Sequence, residues 1–122
     1  MTVVELNSDC VRDILLTAEE NEGMCYPGKY PLLDKYDEEV VVYHINQCHM
    51  NDLILKKVYT DDEICIQDLT PKGHDYLANI RNSDIWAKTK ELGKELGCKS
   101  LNALISLSSQ IIATLIRAKF NV

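Results

Sequence analysis

The sequence predicts an α+β, mostly helical protein built as one domain. Three observations predict it. Apolar residues recur at helical spacing in five segments, and one pair of short apolar runs flanks an acidic turn near the middle. The 122 residues, 46% of them apolar, suffice for one hydrophobic core and not for two ordinary domains.

The first helix is expected from Asn7 or Ser8, good N-cap residues, to about Asn21, with Asp9 in the first turn where the helix dipole favours an acid. Val11, Ile14, Leu15 and Ala18 fall at i, i+3, i+4 and i+7 on one apolar face, and Gly23 is placed to end the helix. Residues 24–35 hold Pro27, Gly28 and Pro31 and read as a loop or short extended connection.

The second helix is expected to begin at Asp37, whose side chain would cap it, while Glu38 and Glu39 suit the dipole. Its inner face would be Val40, Val41, His44, Ile45 and Cys48, and its outer face Glu38, Val42, Asn46, Gln47 and His49. The β-branched run Val40-Val41-Val42 equally suits the start of a strand. Residues 53–59 and 64–69 are apolar runs around Thr60-Asp61-Asp62-Glu63 and predict a β-hairpin, with a third strand from residues 25–30 left open.

Thr70 caps the next helix, with Pro71 at the first helical position, where its missing N–H costs nothing. That helix would bury Tyr76, Leu77 and Ile80. A fourth helix starts at Ser83, carries Ile85, Trp86, Leu92 and Leu96, and stops at Gly97. The last is capped by Ser100 and covers residues 101–119, with a broad stripe of Leu101, Leu104, Ile105, Ser108, Ile111, Ile112, Leu115 and Ile116.

Two helices, a hairpin and a helix opened by Leu69-Thr70-Pro71-Lys72-Gly73-His74 are similar to a winged-helix domain. Residues 7–82 are read as a winged-helix-like core and residues 83–122 as a C-terminal helical extension. More specifically, the chain resembles the bacterial and phage family called domain of unknown function 2513. The residues that carry this are Arg12-Asp13-Ile14-Leu15-Leu16, Glu39-Val40 with Tyr43-His44, and Leu53-Ile54. They continue with Leu69-Thr70, Gly73-His74-Asp75-Tyr76-Leu77, Arg81, and Trp86 followed by Lys88-Thr89-Lys90. The resemblance covers about residues 8–119, and Cys48 and His49 depart from it where aliphatic residues are common. It implies a compact winged-helix-like module, often associated with phages or mobile elements.

No segment of about twenty residues is free of charge, and the N-terminus lacks a basic start and an apolar run, so a cytoplasmic protein with no membrane contact is expected. The cysteines Cys10, Cys25, Cys48, Cys65 and Cys98 are irregularly spaced and read as reduced, mostly buried thiols. The net charge of −6 is divided along the chain: residues 1–80 carry 16 acids against 6 bases, residues 81–122 carry 3 against 7. An acidic front half counts against simple nucleic-acid binding, which rests on Lys and Arg releasing counterions.

If the second helix reads DNA, Asn46, Gln47 and His49 would face bases, and Lys56 and Lys57 would hold phosphates. Against that, Glu38 and Glu39 flank the helix and Asp61 and Asp62 fill the hairpin tip. His44, Cys48 and His49, with Cys65, invite a metal or Cys–His nucleophile reading, but no second ligand pair has the right spacing. They are read as packing, His74 as a brace against Asp75 or Asp68, and Trp86 as an anchor of the tail helices. No catalytic residue, metal, cofactor or small-molecule substrate is expected.

The last helix needs a partner for its stripe. A homodimer through Leu101, Leu104, Ile105, Ile111, Ile112, Leu115 and Ile116 is preferred. The leading expectation is a non-enzymatic regulatory or adaptor module. The alternatives are a transcriptional regulator touching DNA through Arg81, Lys88, Lys90 and Lys94, and an acidic DNA mimic that occupies a nucleic-acid-binding protein.

Overall fold

A computed structural model of the chain describes residues 4–60 and 63–120, the side chains of residues 57–60 excepted. The order is α1 (Ser8–Glu20), β1 (Cys25–Tyr26), α2 (Glu38–Met50), β2 (Ile54–Thr60), β3 (Glu63–Leu69), α3 (Pro71–Arg81), α4 (Ser83–Leu96) and α5 (Leu101–Phe120). The protein is therefore α+β and mostly helical, with a small antiparallel sheet.

α1 lies at the centre, against α2, α3 and β3. Asn7 caps it, accepting from the backbone N–H groups of Asp9 at 2.9 Å and Cys10 at 3.2 Å. Val11, Ile14, Leu15 and Ala18 are all buried, as their spacing predicts. Each contributes hydrophobic stabilisation on the order of 1.5–3 kcal/mol for the larger side chains. Asp13 on the same helix is also buried, satisfied by the hydroxyl of Tyr36 at 2.7 Å and the amine of Lys35 at 3.0 Å. In α2 the residues Val41, His44, Ile45 and Cys48 face inward. Asp37 stands at the N-cap position but its side chain makes no capping hydrogen bond, unlike the expectation; Glu38 and Glu39 remain to complement the dipole.

The hairpin forms, and a third strand joins it, in the order β1-β3-β2. Cys25 pairs with Cys65 and Tyr26 with Ile64. Between β2 and β3, Leu55 pairs with Asp68 but Lys56 pairs with Ile66, so Gln67 is an extra residue on β3. That bulge explains why Gln67 and Asp68 are both exposed while Cys65 and Ile66 are both buried. The reading of five reduced thiols is corrected here: Cys25 and Cys65, directly opposite in the sheet, form a disulfide, and Cys10, Cys48 and Cys98 are free. Two cysteines 40 residues apart carry no local signal of such pairing.

Thr70 caps α3 through its hydroxyl, which accepts from the N–H of Gly73 at 2.9 Å and donates to the carbonyl of Asp52. Gly73 is required: a Cβ there would stand 2.0 Å from the carbonyl oxygen of Leu53. α4 ends in Gly97 at φ 69°, with the N–H of Cys98 reaching Gly93 and that of Gly97 reaching Lys94. Trp86 is buried and anchors α4, but Leu96, expected on the apolar face, is 68% exposed. Thr89 and Gly93 take the inner positions instead, because α5 crosses close to Gly93.

Candidate functional site

The outer face of α2 does not present a free row of base-reading groups. The carbonyl oxygen of the Asn46 side chain accepts from the amine of Lys56 at 2.8 Å, so a reader and a phosphate contact of the expected surface are engaged with each other. Asn46, Gln47 and Lys56 are half-buried, and His49 is exposed. The side chain of Lys57 lies outside the described residues, as do Asp61 and Asp62. Of the expected acidic surface, Glu38 and Glu39 are exposed and border a shallow depression with Asp37 and Val42.

His44 and Cys48 of α2, and Cys10 of α1, are held by the core. Nε2 of His44 accepts the backbone N–H of Asn7 at 2.7 Å, which leaves Nδ1 to donate to the carbonyl of Val40 at 2.7 Å. Both ring nitrogens are thereby used in the neutral form, and burial lowers the imidazole pKa. Burial pushes the thiol of Cys48 far up, and that of Cys10 up to about 12. Cys65, the hairpin residue considered with His44, Cys48 and His49 as a metal ligand, is bonded to Cys25. His74 stands 3.7 Å from Asp68, an exposed pair that braces the sheet against α3 weakly.

The basic segment is divided. Arg81 pairs with Glu19 on α1. Lys90 reaches Asp9 at 3.1 Å, and the same carboxylate oxygen accepts from the Trp86 indole at 3.2 Å. Arg12 and Lys90 both lie over the Trp86 ring, which is thus part of the packing between α1 and α4.

Beyond Lys90 a cleft of about 420 Å³ opens between the N-terminal segment, α2 and α4. Its wall carries Lys90, Lys94, Lys99, Tyr43 and Cys98. Lys90 and Lys94 share a helix face by their i, i+4 spacing, and the turn at Gly97 folds Cys98 and Lys99 back beside Gly93. Lys99 has no place in the sequence reading, and Tyr43 enters it only through the family resemblance, not as a site residue. The spacing of the two α4 lysines before a helix-ending glycine was the only local signal.

α5 is divided as well. Leu101, Leu104 and Ile111 are buried inside the chain, and Ile105 and Ile112 are half-buried. Leu115 and Ile116 are exposed, at 45% and 51%, and Phe120 at 84%. The surface expected to pair two copies therefore narrows to the end of the helix, because its beginning is spent on α3 and α4. By length and composition Leu101–Phe120 is also apolar enough to cross a membrane, yet Leu101, Leu104, Ser108 and Ile111 pack within the domain.

Neither a curated protein nor a solved structure matches the chain. Residues 5–99 match the family described as Hypothetical protein (DUF2513), a span that takes in α1 to α4 and ends before α5. The match starts slightly earlier and stops earlier than the resemblance over residues 8–119 implies. With most of its length inside that span, the chain belongs to the DUF2513 family.

Proposed function

We propose that the chain is a non-enzymatic, winged-helix-like binding module that works as a homodimer, two copies being joined through the end of α5. The observation that carries this is the change in exposure along one helix. Its first half completes a core, and its second half leaves Leu115, Ile116 and Phe120 in solvent. Beside them an apolar groove between α4 and α5 is lined by Leu92, Leu107, Ile111 and Leu115. Ridge and groove on one surface suit a two-fold pair, in which each copy offers the other both parts. The winged-helix part of the reading is supported by the order of α1, α2, the hairpin and α3, and by a cap at Thr70 that ties the hairpin's exit to α3.

The partner-binding face in this reading is the acidic start of α2, with Glu38 and Glu39 exposed beside Val42. It favours a basic protein over DNA, and the pairing of Asn46 with Lys56 points the same way.

Sedimentation or light scattering on the full chain and on a Leu115→Ser/Ile116→Ser/Phe120→Ser variant tests the proposal. A dimer that becomes a monomer in the variant, with the thermal midpoint of the monomer unit retained, is the expected result. A monomeric parent, or a dimer indifferent to the three substitutions, would sink it.

A further inference from the structure

We propose that the cleft between the N-terminal segment and α4 binds a small phosphate-bearing organic anion, of about the size of a nucleoside monophosphate. The first ground is charge. In a chain of net charge −6, three lysines, Lys90, Lys94 and Lys99, line one concavity whose only acidic lining residue among the described residues is Glu5. Two lysines at i and i+4 repel one another, so the arrangement weakens α4 until an anion joins them. Lys90 is already engaged with Asp9. Among the described residues no carboxylate lies within ion-pair distance of Lys94 or Lys99, which leaves two amines for the two charges of a phosphate monoester.

The second ground is shape. A volume of about 420 Å³ falls in the range of small-molecule sites, about 300–1,000 Å³. The remaining wall includes the apolar and aromatic side chains of Val4, Leu6, Leu104 and Tyr43, with Glu5 and Ser8 beside them. That gives the organic body of the ligand a surface to cover, which inorganic phosphate would leave wet. The third ground is exclusion. A nucleic acid strand would have to run on beyond the cleft over a chain of net charge −6, whereas a small anion lies within it.

Cys98 lines the cleft and is half-buried, while Cys10 and Cys48 are fully buried, so the rate of its alkylation reports occupancy. The experiment titrates the full chain with AMP, GMP, CMP and UMP by calorimetry, and follows Cys98 alkylation by iodoacetamide in parallel. Lys94→Gln/Lys99→Gln is the test variant; both lysines are exposed, so the fold tolerates the change. At least one nucleotide is expected to bind saturably with a Kd below about 1 mM and to slow alkylation. Its affinity should fall at least about tenfold in the variant, and its parent nucleoside should bind the unaltered chain at least about tenfold more weakly. No saturable binding of any of the four, or equal affinity in the variant, overturns the proposal. Inorganic phosphate binding as tightly as the best nucleotide overturns it too, since the organic body would then contribute nothing.

Discussion

The Nε2 atom of His44 accepts the backbone N–H of Asn7 at 2.7 Å, and so joins the middle of α2 to the cap of α1. Protonation would turn that acceptor into a donor facing a donor. Burial lowers the imidazole pKa in the folded chain, so the unfolded chain takes up the proton first. Stability is therefore complete above the ordinary imidazole value near 6.5, and falls as pH drops from there toward the lowered folded value. The slope in that window is at most about 1.4 kcal/mol per pH unit. Urea unfolding between pH 7.5 and pH 5 measures it, and His44→Gln, which keeps an acceptor without titrating, should lose the His44 part of the slope.

The hydroxyl of Tyr76 is buried with no hydrogen-bond partner among the described residues. Removing it relieves a desolvation cost and leaves the ring packing intact. Tyr76→Phe should raise stability by about 1 kcal/mol in denaturant unfolding. A loss of that size would show that the hydroxyl has a partner in solution.

Gly73→Ala places a methyl group against the carbonyl of Leu53 at the junction of β2 and α3. The contact is backbone, which cannot swing aside. The variant should lose about 3 kcal/mol or more, with a matching drop in thermal midpoint.

The two halves of α5 should respond differently to similar changes. Leu101→Ala opens a cavity in the core and should cost about 3 kcal/mol. Ile116→Ser should change the stability of the monomer unit by less than about 0.5 kcal/mol. Dilute-solution unfolding of both variants makes the comparison.

Thiol counting separates the five cysteines by environment. Native, unreduced protein should label at Cys98 alone; denaturation without reductant should add Cys10 and Cys48; reduction should add Cys25 and Cys65. Cys10 and Cys48 are slow twice over, because they are buried and because burial disfavours their thiolates.

Local chemistry was readable from the residues. Asn7, Thr70-Pro71 and Gly97 mark helix ends because a cap needs only its own turn. The inner face of α1 follows from spacing, since a central helix meets packing along its whole length. Spacing alone misplaced Leu96 and could not divide the stripe of α5, because periodicity says which side of a helix is apolar and not how far its neighbours extend. The Asn46–Lys56 pair, the Cys25–Cys65 bond and the placing of Tyr43 and Lys99 on one cleft are products of chain folding. No residue in any of these three groups announces its partner locally.

The division of α5 near Ile111 subjects one helix to two kinds of selection. Changes at Leu101, Leu104 or Ser108 are judged by whether the domain folds at all. Those at Leu115, Ile116 or Phe120 are judged by what lies against them from outside. The start of the helix should therefore drift among relatives only in volume-preserving steps, while its end is free to be rewritten. A lineage built this way acquires or abandons a mode of assembly by editing three exposed side chains, with the interior of the domain left as inherited.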